Sequence, residues 1–291
     1  MEKRKILIQI DSDPQPSVFD RIVAIDSGAD EVFSYGSVEP EHVRTIVHGA
    51  IFTRRPKDLK RTALFIGGTN VAKGERLLQE AGKSLIPQFG LRVSILFDAN
   101  GANTTAVAAV RAAARHLPLQ GVRCLLLGGT GPVGQRAARL LALQDAEVRI
   151  SSRDLARAAS VCAEIRGRVA GGRLVPVQAL TTEQLTASLQ DCELVMATGA
   201  AGVQLLSAAT RKEASNLRVA IDLNAVPPLG IAGVEVTDKG VERDGVICYG
   251  AIGVGDTKMK IHRAAIARLF ESNDQVLDAE EIYELASTLT L

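Results

Sequence analysis

The stretch that decides the fold reads VRCLLLGGTGPVGQRAARLLAL and occupies residues 122–143. Its first six residues are a mostly apolar run, typical of a buried parallel strand, and apolar residues recur at helical spacing from Ala137 to Leu141. Between them lies the motif Gly-Thr-Gly-Pro-Val-Gly, residues 129–134. A glycine turn that joins a strand to a helix is the context in which this pattern indicates dinucleotide binding. We therefore predict an α/β fold with a Rossmann-like, doubly wound parallel sheet.

Each glycine of the motif has a predicted role. Gly129 allows the tight turn, Gly131 lets the backbone approach a pyrophosphate, and Gly134 lets the helix pack close to the strand. The rest of the predicted cofactor loop is Thr130, Pro132 and Val133. The helix N-terminus faces the bound anion. The alternative is a plain strand-to-helix turn that binds no cofactor.

The end of the next predicted strand, residues 146–150, indicates which dinucleotide binds. An NAD-preferring fold usually ends this strand in a carboxylate that bonds the ribose 2′-hydroxyl. Here Ser151, Ser152 and Arg153 follow the strand, and hydroxyls with a guanidinium suit a 2′-phosphate instead. We expect the next residue, Asp154, to cap the following helix. The sequence thus favours NADP, with NAD as the alternative cofactor and a solvated surface arginine as the alternative for Arg153.

Composition narrows the class of protein. The chain has 291 residues, 46% of them hydrophobic and 23% charged, and a formal net charge of +1. This length favours two domains, and the near-neutral charge argues against nucleic acid or an anionic membrane as a partner. The four cysteines and four histidines are scattered, so we predict no metal site. No signal-peptide core or bilayer-spanning segment is evident, so we expect a cytoplasmic protein.

The alternation of predicted strands and helices assigns residues 104–257 to the cofactor domain. Further cofactor contacts are expected where later strands of this domain end, at Thr198, Gly199 and Asn224. Residues 1–103 also mix strands and helices but lack a phosphate loop, so we expect a second α/β domain that binds substrate. Residues 258–291 are predicted to be helical and to complete that domain. The substrate would then lie in a cleft between the domains.

Polar residues follow three predicted strands. The clusters are Asp11-Ser12-Asp13, residues 98–105 and residues 253–258. Strand ends favour such residues as turn and cap residues, and Asn103 or Thr104 could simply cap the next helix. The recurrence of the same layout favours a functional role at one edge of the sheets.

Several segments together resemble one known family. They are Pro-Ser-Val-Phe-Asp at 16–20, Asp-Ala-Asn-Gly-Ala-Asn-Thr-Thr at 98–105, the glycine motif at 129–134, Asn-Ala-Val-Pro-Pro-Leu-Gly-Ile at 224–231 and Lys-Met-Lys-Ile-His-Arg at 258–263. On these residues the chain resembles NADP-dependent methylene-tetrahydromethanopterin dehydrogenase of bacterial one-carbon metabolism, as in methylotrophy. The resemblance implies oxidation of a methylene carbon between two nitrogens of a reduced pterin, which gives a methenyl cation. It also implies a homo-oligomer, either a trimer or a hexamer.

The chemistry that this resemblance implies suggests the substrate contacts. Direct hydride transfer needs no strong general base, because the neighbouring nitrogens supply the lone pair. A carboxylate suits the amino-pyrimidinone edge of a pterin, because its two oxygens can accept adjacent N–H groups. The candidates are Asp13, Asp20 and Asp98 for that edge, Phe19 for the flat rings, and Asn100 and Asn103 for carbonyl groups. Lys258 matches a lysine at the family's active site, and we expect it to position substrate rather than act as a base.

Two other functions fit the same residues. A methylene-tetrahydrofolate dehydrogenase performs the same hydride chemistry on a different pterin. A cofactor-sensing module would bind NADP without turnover. Rates measured with both pterins and both dinucleotides distinguish the three functions.

Overall fold

The computed structural model describes residues 3–291, and the chain divides into two compact units. Unit 1 extends to Thr104 and resumes at Met259–Leu291, whereas unit 2 is Thr105–Lys258. The strands are β1 (Ile6–Asp11), β2 (Glu31–Tyr35), β3 (Thr62–Gly67), β4 (Ser94–Phe97), β5 (Arg123–Leu127), β6 (Glu147–Ser152), β7 (Arg173–Gln178), β8 (Leu194–Ala197), β9 (Val219–Asp222), β10 (Lys239–Arg243), β11 (Val246–Tyr249) and β12 (Val276–Leu277). The helices are α1 (Val18–Asp26), α2 (Pro40–Phe52), α3 (Val71–Ser84), α4 (Ala102–Ala114), α5 (Pro132–Leu143), α6 (Leu155–Arg168), α7 (Thr182–Leu189), α8 (Ala208–Glu213), α9 (Ala251–Arg268) and α10 (Ala279–Ser287).

Unit 2 contains the doubly wound sheet that the glycine motif predicts. Its strands lie in the order β10-β11-β9-β8-β5-β6-β7, and only the pairing of β10 with β11 is antiparallel. With β5 as strand 1, the parallel strands follow the order 3-2-1-4-5-6 of dinucleotide-binding sheets. All residues of β8 and β9 are buried, as expected where helices cover both faces of a sheet. The predicted α/β class is confirmed, and the strand order reverses between β5 and β8.

Unit 1 is built on a second parallel sheet with a different order. Its strands lie in the order β12-β4-β3-β1-β2, and all four pairings are parallel. Counted from β2, this is the order 2-1-3-4-5, the other common doubly wound arrangement. The C-terminal segment supplies the last strand, since Val276 pairs with Ile95. In this unit the strand order reverses between β1 and β3, and ligands of such sheets bind at the carboxyl ends of the strands at that point.

Residues 253–258 form part of a helix and not the strand-end loop that the sequence predicts. Helix α9 begins at Ala251, two residues after the end of β11. The glycines that suggest a loop serve a different purpose. A Cβ atom on Gly253 would lie 1.9 Å from the carbonyl oxygen of Asp238, so glycine lets the first turn of α9 pack directly against that backbone.

Candidate functional site

The glycine loop after β5 has the geometry of a phosphate-binding turn, but its left-handed residue is Gly128. Gly128 has a φ of +63°, and a Cβ there would lie 2.5 Å from the Cα of Gly199. Gly129, to which the sequence assigns the tight turn, lacks a left-handed φ and is constrained by packing instead. A Cβ on Gly129 would lie 2.9 Å from the Cβ of Leu126. The tight turn is therefore formed by Gly128, whereas the sequence assigns it to Gly129.

The other two glycines of the motif differ in what surrounds them. A Cβ on Gly134 would lie 2.6 Å from the carbonyl oxygen of Gly129, so only glycine allows α5 to pack this closely on the loop. At Gly131 a Cβ would meet nothing closer than the carbonyl oxygen of Thr198, at 3.6 Å. The fold itself thus tolerates a side chain at Gly131, and the space there is available to a ligand.

The N-terminus of α5 is arranged to receive an anion. Gly131 is the N-cap residue, and no side chain bonds to the first-turn N–H groups of this helix. Uncapped N–H groups and the positive end of the helix dipole attract a phosphate group. The residues present therefore fit the pyrophosphate of a dinucleotide at the point where the strand order of unit 2 reverses.

At the end of β6, the guanidinium of Arg153 is exposed and the hydroxyl of Ser151 is buried. Ser151 is buried, and its hydroxyl accepts the N–H of Gly128 at 3.2 Å. Ser152 accepts the N–H of Asp154 at 3.1 Å, and Asp154 caps α6 by accepting the N–H of Ala156 at 2.9 Å. The expectation that Asp154 is a cap residue is confirmed. Arg153 is exposed and its guanidinium has no partner within residues 3–291, so it is the group at this strand end that can meet a 2′-phosphate.

Thr198 and Asn224 bond mainly to the protein. Thr198 follows β8 and donates its N–H and its hydroxyl to the carbonyl oxygen of Leu127, at 2.9 and 3.1 Å. Asn224 is buried, and its side-chain oxygen accepts the N–H of Val226 at 3.0 Å. The carboxylate of Asp222 accepts the N–H of Asn224 at 3.0 Å, and burial raises the pKa of Asp222 although backbone hydrogen bonds oppose the rise. Asn224 thus shapes the loop after β9 and does not offer its amide outward.

The carboxyl ends of β1 and β3 in unit 1 carry one polar group with hydrogen-bond partners and one without. The Asp11 carboxylate accepts the N–H groups of Asp13 and Ser17, at 2.8 and 3.2 Å, and burial raises its pKa against those bonds. The hydroxyl of Ser12 is buried and has no hydrogen-bond partner among the described residues. Gly68 is needed beside it, because a Cβ there would lie 2.4 Å from that hydroxyl oxygen. An unpartnered buried hydroxyl is unusual and marks the β1–β3 edge as a candidate ligand site.

Asp13 links the two loops at this edge. Its carboxylate accepts the backbone N–H and the hydroxyl of Thr69, at 2.9 and 3.0 Å. These bonds hold the loop after β1 to the loop after β3. The carboxylate predicted to bind substrate is therefore already engaged with Thr69.

Asp98 and Asn103 are interior residues with internal partners. Asp98 accepts the N–H groups of Asn103 and Thr104, both at 3.0 Å, and the hydroxyl of Thr104 at 2.6 Å. Asn103 donates its side-chain N–H groups to Phe97 at 2.6 Å and to Asp278 at 2.8 Å. The alternative that Asn103 or Thr104 caps α4 is wrong, because both residues lie within its first turn and donate their N–H groups to the side chain of Asp98. The sequence analysis expects Asp98 and Asn103 to contact the pterin directly. Their burial and their bonds to the protein argue against that contact.

Asn100, Phe19 and Asp20 remain accessible in unit 1. Asn100 is exposed in a left-handed conformation with a φ of 54°, and its N–H donates to Gly68 at 2.7 Å. Phe19 is 51% exposed, and the Asp20 side chain is 18% exposed. Both lie in the first turn of α1, where the Ser17 hydroxyl accepts the N–H of Asp20 at 3.2 Å. This turn presents an apolar ring beside a carboxylate.

His262 is a site residue that the sequence analysis does not single out. It is 2% exposed, its Nδ1 lies 3.1 Å from an oxygen of Asp98, and its Nε2 lies 3.8 Å from an oxygen of Asp20. The rings of Phe65 and Phe19 lie 5.8 and 6.3 Å from the imidazole, centre to centre. A signal was present, because His262 is in the segment 258–263 and its partner Asp98 ends a predicted strand.

Lys258 lies on α9, one helical turn before His262. It is half-buried, and its ammonium has no hydrogen bond or ion pair within the described residues. Across residues 3–291, no cluster of histidine, cysteine and acidic side chains is arranged to hold a metal ion. In the same range, no helix combines the length and the apolar character that crossing a membrane requires.

Two solved structures with a similar fold are dehydrogenases by name. Shikimate 5-dehydrogenase from Listeria monocytogenes has a TM-score of 0.51 at 14% identity, over 97% of this chain and 96% of that one. Quinate dehydrogenase from Corynebacterium glutamicum has a TM-score of 0.50 at 14% identity, over 98% and 99% of the two chains. At this level of identity the likeness shows the fold alone.

Sequence comparison identifies closer relatives. The model of the family "Methylene-tetrahydromethanopterin dehydrogenase, N-terminal" matches residues 18–100. In Methylorubrum extorquens, "Bifunctional protein MdtA" is 40% identical over 288 residues, which is 98% of this chain and 99% of that protein. In the same organism, "NAD(P)-dependent methylenetetrahydromethanopterin dehydrogenase" is 32% identical over 300 residues, 97% of this chain and 98% of that protein. With full-length relatives at these identities, the chain belongs to the methylene-tetrahydromethanopterin dehydrogenase family.

Proposed function

We propose that this protein catalyses the reversible oxidation of methylene-tetrahydromethanopterin to methenyl-tetrahydromethanopterin, with hydride transfer to NADP, in one-carbon metabolism. The observation that carries the proposal is the full-length similarity to a relative named for NAD(P)-dependent oxidation of this substrate. The uncapped N-terminus of α5, with its open space at Gly131, supports it independently, because a dehydrogenase needs a dinucleotide site.

The cofactor would be held in unit 2 and, when bound, would supply the nicotinamide ring that accepts the hydride. The N-terminus of α5 would bind the pyrophosphate through backbone N–H groups beside Gly131. Arg153 and the hydroxyl of Ser152 would bind the 2′-phosphate, which makes NADP the preferred cofactor and NAD a weaker one. Asp154 does not oppose this, because its carboxylate is directed at the N–H groups of α6.

The pterin would bind in unit 1 at the carboxyl ends of β1 and β3, where the strand order reverses. The Asp20 carboxylate would accept N–H groups of the amino-pyrimidinone edge, and Phe19 would lie against the flat rings. Asn100 and the unpartnered hydroxyl of Ser12 could meet polar atoms of the ring system. Asp13, Asp98 and Asn103 would shape the site from within, since their polar atoms bond to the protein.

Lys258 would position the substrate. The hydride leaves the methylene carbon without a proton transfer at that carbon, so the reaction requires no base. An ammonium without a protein partner can bond a carbonyl group of the substrate. Its charge would oppose the methenyl cation at contact, so we place it away from the reacting carbon.

The experiment is a spectrophotometric assay with both methylene pterins and both dinucleotides. We expect the highest kcat/KM with methylene-tetrahydromethanopterin and NADP. Higher kcat/KM with methylene-tetrahydrofolate would identify the other pterin as the substrate. NADP binding by calorimetry without turnover of either pterin would contradict the proposal and indicate a cofactor-sensing module.

The protein is also proposed to be a homo-oligomer, a trimer or a hexamer. A shallow groove between α1 and β2 is lined by Val18, Ile22, Ile25 and Val32, with the charged residues Arg21, Asp26 and Glu31 beside them. Val18, Ile22 and Ile25 are 63%, 57% and 49% exposed. Strand β2 lies at the edge of its sheet and also exposes Phe33 and Tyr35. We call this region, with its exposed apolar side chains, the α1–β2 surface. Apolar surface beside an unpaired strand edge favours burial against another copy of the chain.

A further inference from the structure

We propose that Gln178 is a positioning residue for cofactor selectivity, which fixes the backbone at Arg153 so that the guanidinium is presented to the 2′-phosphate of NADP. Gln178 is the last residue of β7, and its side chain reaches the loop that follows β6. The proposal rests on the proposed function, because it takes Arg153 to be the group that binds the 2′-phosphate.

The loop that carries Arg153 is held by hydrogen bonds on both sides of this residue. Strands β6 and β7 pair in parallel up to Ser152 and Gln178, and the carbonyl oxygen of Ser152 accepts the N–H of Ala179 at 3.1 Å. On the other side, the hydroxyl of Ser152 accepts the N–H of Asp154 at 3.1 Å. Between these points, the side-chain amide of Gln178 donates from Nε2 to the carbonyl oxygen of Arg153 at 3.1 Å. The backbone is therefore held before, at and after Arg153.

The orientation of the Gln178 amide follows from the start of α7. The side-chain oxygen of Gln184 accepts the N–H groups of Leu180 and Thr181, at 2.9 and 3.3 Å, at the capping box of this helix. The amide nitrogen of Gln184 then lies 3.5 Å from the side-chain oxygen of Gln178, which is longer than an ideal hydrogen bond. A carbonyl oxygen can only accept, so Gln178 must direct its nitrogen at Arg153. Both neighbours of the Gln178 amide thus favour the same orientation.

The side chain of Arg153 must be ordered when it binds a phosphate. It is exposed, and its guanidinium has no partner among the described residues. Immobilising a long side chain costs free energy, and a mobile backbone beneath it would add to that cost. Loss of the Gln178 amide should therefore weaken the contact with the 2′-phosphate. NAD lacks this phosphate, so its binding should not change.

The test compares Gln178→Met, Arg153→Ala and the double variant of the two by calorimetric titration with both dinucleotides. Methionine has the length of glutamine without its amide, so only the bond to the Arg153 carbonyl oxygen is removed. We expect Gln178→Met to raise the dissociation constant for NADP by about three- to tenfold, and that for NAD by less than about twofold. Gln144→Met is the matched control and should behave as wild type, because Gln144 is a half-buried glutamine that precedes the other end of β6.

The double variant shows whether Gln178 acts through Arg153. If it does, the double variant binds NADP no more weakly than Arg153→Ala alone. A further loss in the double variant would overturn the proposal. Equal losses of NADP and NAD in Gln178→Met, or wild-type affinities in a folded Gln178→Met protein, would overturn it as well. If Gln178→Met does not fold, the cycle is run with Gln178→Thr, which suits a strand and whose hydroxyl is too short to reach the Arg153 carbonyl oxygen.

Failure of the proposed function gives a different result in the same titrations. A wild type that does not bind NADP refutes the proposed function and this inference together. An Arg153→Ala protein with wild-type NADP affinity refutes the 2′-phosphate role of Arg153, and this inference with it. A weakened Arg153→Ala beside an unaffected Gln178→Met refutes this inference alone.

Discussion

At the scale of single residues, the structure separates groups that face a ligand from groups that support them. Arg153, Phe19 and Asn100 are exposed, whereas Asp98 and Asn103 are buried and bonded to the protein. All five are residue types suited to binding NADP or a pterin. Only the three-dimensional partners show which of them can reach a bound molecule.

Arg153→Ala should weaken NADP binding much more than NAD binding, because only NADP carries the 2′-phosphate. The loss of one charge-assisted contact should cost about ten- to a hundredfold in the dissociation constant for NADP. Calorimetric titration with both dinucleotides measures this. Arg168→Ala, at the other end of α6, is the control and should change neither value. Equal losses of both dinucleotides in Arg153→Ala would contradict the assignment.

Lys258→Ala should lower kcat with the pterin and leave the NADP dissociation constant unchanged, because misplaced rings cost transition-state geometry. Its kcat/KM profile against pH should keep every limb of the wild-type profile, since no base is proposed. Lys260→Ala is the control, because Lys260 is exposed on the same helix. Full activity in Lys258→Ala would remove it from the site, and a missing limb would show that it transfers a proton.

At the scale of elements, local sequence patterns are sufficient to predict the structure where a strand, a turn and a helix follow one another directly. The sequence predicts the segment from β5 to α5, because its apolar run and its glycines are contiguous. The sequence does not predict strand β2, because an edge strand with a half-exposed surface lacks a continuous apolar run. The sequence predicts a loop at the start of α9, because a glycine there looks like a turn residue. The contact with Asp238 that requires Gly253 is visible only in three dimensions. Asp98 and His262 are 164 residues apart, so no local pattern could pair them.

The loop before α5 offers a contrast between two glycines of one motif. Gly131→Val should abolish NADP binding and leave the melting temperature near that of wild type, because a Cβ there meets only ordinary contacts. Gly134→Ala should lower the melting temperature, because its Cβ would lie 2.6 Å from a carbonyl oxygen. Thermal unfolding and calorimetry on both variants test this. Undiminished NADP affinity in a folded Gly131→Val protein would show that the loop is not the phosphate site.

At the scale of the whole molecule, two doubly wound units come from one chain with different strand orders. Each order has one reversal point, and the candidate groups of each unit gather there: Gly131 in unit 2, and Ser12 in unit 1. The sequence located the first through its glycines. For the second, the sequence indicates only a polar cluster at Asp11-Ser12-Asp13, and the strand order and the unpartnered hydroxyl of Ser12 mark it as a candidate site.

We expect the α1–β2 surface to form the interface of the proposed trimer or hexamer. Wild type should elute as a trimer or a hexamer in size-exclusion chromatography with light scattering. Ile25→Glu should shift it towards smaller species, because a buried charge at an apolar interface is costly. Leu180→Glu, at a 58% exposed position in unit 2, is the control and should leave the mass unchanged. A monomeric wild type would contradict the oligomer, and an unshifted Ile25→Glu would place the interface elsewhere.

The central claim is direct hydride transfer from the methylene carbon of a reduced pterin to NADP, and one isotope experiment tests it. Tetrahydromethanopterin carrying a deuterated methylene group is turned over with NADP in ordinary water, and the reduced cofactor is analysed by mass spectrometry. The account predicts that each reduced cofactor carries one deuterium on its nicotinamide ring. Reduced cofactor without deuterium, or no reduced cofactor from an enzyme that binds NADP, would contradict it.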